Sequence, residues 1–100
     1  MGLIHVVDIV EQCSSYENGV TLHRLLGEKL RSGENVVLSF KGVSAVSTSF
    51  VNAALIELLD EFDFETIKGK LAFTDTNRII NDTIKRRFAF EVQRTKKAVA

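Results

Sequence analysis

The stretch Val36–Leu59, VVLSFKGVSAVSTSFVNAALIELL, decides how the chain folds. Val36, Val37 and Leu38 in succession read as a strand covered on both faces, because a strand buried on one face would alternate apolar with polar residues. The strand is expected over Asn35–Phe40, with Lys41-Gly42 ending it and Val43–Val46 as a short connection. Beyond this connection, Val51, Ala54, Leu55, Leu58, Leu59 and Phe62 fall on one apolar helical stripe. Asn52, Glu57, Asp60 and Glu61 take the remaining positions. Ser47, Thr48 and Ser49 stand at the start of this helix, and all three residue types cap helix ends.

The flanking segments extend the same alternation. Leu3–Val10 is rich in Ile and Val and suits a strand, and polar Gln12–Gly19 reads as a loop. Leu22, Leu25, Leu26 and Leu30 recur at helical spacing, and Gly33 follows as a natural left-handed C-terminal turn. Gly27, costly inside a helix, is expected where that helix approaches the sheet closely. Gly69 introduces a third strand at Leu71–Thr74. Thr76 or Asn77 can cap a last helix carrying Ile80, Ile84 and Phe88, expected to reach about Arg87. Phe88, Phe90 and Val92 also alternate, so residues 88–93 stay open between helix and strand, and the tail from Arg94 is expected to fray. The fold class is α/β: a small mixed, largely parallel sheet with helices packed on it, in the order β-α-β-α-β-α. The second and third strands should be parallel, and the orientation of the first is left open.

One hundred residues suit a single domain spanning 1–100. Thirteen basic and thirteen acidic residues cancel, which removes any global attraction to nucleic acid or an anionic membrane. The lone Cys13 cannot form an internal disulfide. No metal-ligand cluster and no glycine-rich phosphate loop is present, so neither metal nor cofactor is expected. The N-terminal residues lack a signal-peptide pattern, Val6 replaces the Ser or Thr that myristoylation wants, and no apolar run is long enough to span a membrane. The expected compartment is the cytoplasm.

The hydroxyls at the start of the central helix carry the functional reading. Free N–H groups and the helix dipole favour negative charge there. A phosphate on Ser or Thr would add about −1.5 to −2 charges, tolerated by the fold yet altering what can dock. The strand, Gly42-Val43, the loop and Ser47-x-Ser49 before a helix resemble the STAS domain of sulfate transporters and anti-sigma-factor antagonists. In particular, Val-Val-Leu-x-Phe-x-Gly-Val followed by Val-Ser-x-Ser-Phe is similar to the STAS-like branch described as a domain of unknown function. The order of elements fits from about Val20 to Phe88, and the specific residues cover Val36–Phe50. The resemblance implies a protein-binding regulator whose partner is a histidine-kinase-like ATPase that phosphorylates a serine at this helix start and is thereby released. It places Ser49 on the phosphoserine, Thr48 before it and Ser47 on the usual aspartate. Three departures stand out: Ser47 for aspartate, Phe50 for the following glycine, and Ser39 where the preceding strand is commonly acidic.

On this reading the partner-binding residues are Ser47, Thr48, Ser49, Phe50 and Asn52, with Ser49 and Thr48 as phosphorylation candidates. Ser47–Ser49 could equally serve only as caps. Phe50 is an aromatic anchor if exposed and a core residue if it packs inward. No catalytic residue is expected. A Cys13 nucleophile with His5 or His23 would need spatial contact that the spacing does not demand. The carboxylates Asp60, Glu61, Asp63 and Glu65 read as a solvated helix end. The alternative function, a nucleic-acid accessory protein, rests on Lys85, Arg86, Arg87, Arg94, Lys96 and Lys97. Those same cations also suit a solvated helix C-terminus.

Overall fold

In the computed structural model, which describes residues 2–99 and side chains as far as Arg94, Gly2–His5 (β1), Val36–Ser39 (β2) and Leu71–Thr74 (β3) form one sheet in the order β1-β2-β3. Both pairings are parallel, so β1 is parallel as well as the expected β2–β3 pair. The register aligns Gly2, Val36 and Leu71 in one row and Ile4, Leu38 and Phe73 in another. Val36, Leu38 and Leu71 are buried against helices. The row between them, Leu3, Val37 and Ala72, points to the opposite face. There Leu3 is 59% exposed, Ala72 is exposed and Val37 half-buried, so β2 is covered on one face and not on both. The reason lies in strand order. Strands laid down consecutively by crossovers of one hand receive every helix on the same side.

The first strand is shorter than the sequence suggests. After His5 the chain turns into a helical turn, Val6–Ile9 (α1), with the Val10 N–H bonded to the Val6 carbonyl. A continued strand would have put Asp8 on the same face as buried Val6 and Val10. The helical turn buries both valines and leaves Asp8 in solvent. The next helix begins earlier than expected, at Tyr16–Arg31 (α2), because the Ser15 hydroxyl caps it by accepting from the Asn18 N–H at 3.1 Å. Gly33, with φ 79°, makes the expected left-handed exit.

The helix expected from residue 47 to 62 is divided. Thr48–Ala54 (α3) gives way at Leu55 to a 3-10 turn over Ile56–Asp60, and a separate helix, Phe64–Lys70 (α4), precedes β3. The apolar stripe itself goes inward, with Val51, Ala54, Leu55 and Leu58 buried. Asp63, read from sequence as part of an acidic helix end, caps α4 by accepting from the Thr66 N–H at 2.7 Å. The last helix, Arg78–Val99 (α5), is capped by the Asn77 side chain, which accepts from the Ile80 N–H at 2.9 Å. Residues 88–93 are therefore helix, within Arg78–Val99. Helical spacing buries Phe88 and turns Phe90 outward under the Arg87 guanidinium, which a strand would not do. Among the described residues, no helix is long and apolar enough to cross a membrane.

The close contact foreseen for Gly27 occurs elsewhere. A Cβ on Gly27 would meet only its own helix's Arg31 side chain. At Gly19 a Cβ would lie 2.6 Å from both the Ala53 Cβ and the Phe50 carbonyl oxygen, so α2 and α3 pack backbone to backbone there. A Gly19→Ala substitution is expected to cost about 1–3 kcal/mol through overpacking. For a domain of this size that lowers the melting temperature by roughly 4–8 °C per kcal/mol. Gly69→Ala in α4, whose Cβ meets nothing within 4 Å, should instead stabilise by about 0.4–1 kcal/mol. Thermal unfolding followed by circular dichroism checks both, and equal effects would contradict the packing described.

Candidate functional site

Three loops meet at the C-terminal ends of the strands: residues 10–15 after α1, residues 40–47 after β2 and residues 75–77 after β3. Backbone and side-chain bonds tie them together. The Ser47 N–H donates to the Cys13 carbonyl at 2.9 Å, and the Asn77 amide donates to the Ser44 carbonyl at 2.8 Å. The Ser39 hydroxyl donates to Asp75 Oδ2 at 2.6 Å, and the Lys41 N–H approaches the same hydroxyl at 3.3 Å. Ser39 is 0% exposed although it belongs to the open face of the sheet, so this turn closes over it. Asp75 has a φ of 56°, a left-handed conformation that Asp tolerates better than most residues. The loop after β3 thus brings the Asp75 carboxylate beside Ser39.

Within this loop cluster the three hydroxyls of the helix start divide their tasks. The Ser47 oxygen accepts from the Phe50 N–H at 3.0 Å and is the cap. Thr48 and Ser49 are exposed, and no side-chain hydrogen bond engages either of them among the described residues. Phe50 is 0% exposed: of its two sequence-based roles, core residue is observed and accessible anchor is not. Its backbone carbonyl lies against Gly19, where α3 packs on α2. Asn52 is half-buried and accepts from the Arg87 Nε at 2.7 Å, so it links α3 to α5 instead of facing solvent freely.

The remaining candidates are distributed over the molecule. Burial pushes the Cys13 thiol above its ordinary range, the opposite of an activated nucleophile. His5 ends β1 and His23 lies on α2 with a buried Nδ1 that has no hydrogen-bond partner. Glu61 pairs with Arg31 at 2.9 Å while Asp63 caps α4, where the Thr66 hydrogen bonds hold its carboxyl below the usual range. No group of three or more His, Cys, Asp or Glu side chains converges as metal ligands among the described residues. The basic cluster is partly engaged. Arg87 bonds Asn52 and Glu91, and Arg94 bonds Glu91 at 2.9 Å. Hydrogen bonds from Arg94, then Arg87, hold Glu91 below the ordinary carboxylate range against its partial burial. Lys85 and Arg86 are exposed, whereas the side chains of Lys96 and Lys97 lie outside the described residues.

The contribution of Asp75 and the half-buried tie between Asn52 and Arg87 were not read from the sequence. The Asn52–Arg87 pair carries no local signal, since its members lie 35 residues apart. Asp75 does have one: Asp-Thr-Asn directly after a strand is turn chemistry. The cap makes a direct prediction. Ser47→Ala should cost about 1 kcal/mol in urea unfolding, and Ser47→Asp should stay within a few tenths of the parent, because aspartate caps as well as serine does. Cys13 in the folded chain should also alkylate with iodoacetamide more slowly at pH 8 than a free cysteine; equal or faster reaction would contradict its shielded, raised pKa.

Comparison with known families finds that the sequence model of one described as a STAS-like domain of unknown function (DUF4325) matches residues 18–81. No curated protein and no solved structure matches the chain.

Proposed function

The chain belongs to the STAS-like family of unknown function, and from that premise we propose that it is a non-enzymatic regulatory domain that binds another protein through the mouth of α3. The observation that carries this reading is the division of labour at the helix start: Ser47 makes the cap, while Thr48 and Ser49 remain exposed beside it. A hydroxyl that the fold does not use can accept a phosphate without breaking a structural bond. The added charge would sit at the positive end of a helix, where it is tolerated. Its effect would then fall on docking. The partner is a histidine-kinase-like ATPase, and Ser49, or Thr48 before it, is the residue it modifies. Phe50 and Asn52 drop out of the contact surface, and exposed Lys41, Ser44 and Ala45 of the preceding loop join it.

Several observations favour binding over catalysis. The cysteine, the histidines and the carboxylates each have a separate local setting, and the thiol is raised by burial. The nucleic-acid alternative rests on six cations, of which Arg87 and Arg94 are paired with Glu91 while Lys85 and Arg86 are exposed.

The test uses the purified chain, ATP and purified ATPases of the histidine-kinase-like class from the same organism. Phosphate should map to Ser49 or Thr48 by mass spectrometry, and Ser49→Asp should weaken binding to that ATPase by roughly tenfold or more through like-charge and steric conflict. Phosphate found only at other residues, or unchanged affinity of Ser49→Asp, would remove the switch; no affinity of the unmodified chain would remove the docking.

A further inference from the structure

A cleft of about 560 Å³ lies between α4, β3 and α5, away from the helix mouth. We infer that this cleft is a docking groove for an amphipathic helix of a protein partner, one whose apolar side chains are flanked by Asp or Glu. Its walls are two helical stripes. On α4, Phe64, Ile67 and Lys68 stand at spacings of three and four, and on α5 the lining residues follow the same spacing from Asn81 to Gln93. At 1.5 Å per residue the α5 wall is about 18 Å long, the length of roughly twelve residues of a partner helix. Half-buried Phe73 contributes from β3, one of the two edge strands of the sheet. Phe64 from α4 packs on buried Phe88 from α5, with ring centroids 5.5 Å apart, which joins the two helices.

The charge of the groove selects its occupant. Lys68 lines it from α4 and Lys85 from α5, both exposed, and no Asp or Glu is among the lining residues. Neither lysine has a carboxylate within 4.0 Å among the described residues; Lys68 instead lies over the Phe64 ring at 5.9 Å. Apolar walls with cationic lips complement an apolar stripe with acidic flanks. The groove is open to solvent along Lys68, Lys85, Ala89 and Gln93, all of them exposed. A single alkyl chain would leave that side wet, since small-molecule sites bury about 70–90% of their ligand. A helix closes it with its own polar face. The groove shares no residue with Ser47–Asn52, so it stands or falls separately from the proposal for the helix mouth.

A display library of helical 15-residue peptides selected on the full chain tests the inference. Enriched peptides should carry apolar residues at i, i+3 or i+4, and i+7 with a net acidic flank. Exposed Ala89 lines the groove, and Ala89→Glu should weaken the selected peptides by about tenfold or more, as should the Lys68→Glu/Lys85→Glu double variant. The same peptides with their acids exchanged for lysine should regain binding to the double variant, an outcome that a mere loss of folding could not give. No enrichment, enrichment of neutral or basic flanks, or binding indifferent to Ala89→Glu would overturn the inference. So would dodecanoate binding in the groove in the absence of any selected peptide, which would reassign it to a small amphiphile.

Discussion

Consecutive parallel strand order is the constraint from which the rest of the molecule follows. β2 pairs with both neighbours, and each connection between adjacent strands must cross over the sheet. Without a reversal in strand order, crossovers of one hand keep returning to the same face. The helices accumulate there and bury Val36, Leu38 and Leu71, while Leu3, Val37 and Ala72 line a face that no helix covers. Doubly wound folds place their ligands in the crevice where strand order reverses. Here the order does not reverse, and the groups with chemical potential end up on separate loops and helix faces.

The helix mouth depends on that arrangement through one tight contact. Gly19 lets the α2 and α3 backbones approach, which fixes the first turn of α3 against α2, with the Phe50 side chain in the core. With Phe50 committed to the core, Ser47 is the residue placed to cap, and Thr48 and Ser49 must face outward. The bonds from Ser47 to Cys13, from Asn77 to Ser44 and from Ser39 to Asp75 then brace the loops around it. Exposure of the two hydroxyls is a consequence of packing one residue further along.

Much of this was legible in the sequence, for identifiable reasons. The apolar run of β2 and its neighbour β3 are short, bounded by Gly or polar residues, and have no competing periodicity. The stripe from Val51 to Phe62 correctly marked the buried side, but its spacing is compatible with both a continuous helix and one that tightens into a 3-10 turn. Val6 and Val10 are four apart, which suits a strand face and a helix face alike; Asp8 was the discriminating residue. The α4 cap, Asp63 with Thr66, lay hidden in a run of carboxylates. The open face of the sheet could not be read from Val37, because apolar character alone does not say whether a helix lies above it. Long-range partners such as Asn52 and Arg87 leave no local trace at all.

On the proposed reading, negative charge at the mouth of α3 leaves the fold intact and acts on what docks there. Equilibrium unfolding of Thr48→Asp and Ser49→Asp in the absence of any partner measures this most directly. The expected result is unchanged or slightly raised stability, by up to about 1 kcal/mol at low ionic strength and less in salt, since the charge meets the helix N-terminus. A loss of more than about 1 kcal/mol in both variants would show that these hydroxyls support the fold, and the mouth could not then serve as a switch.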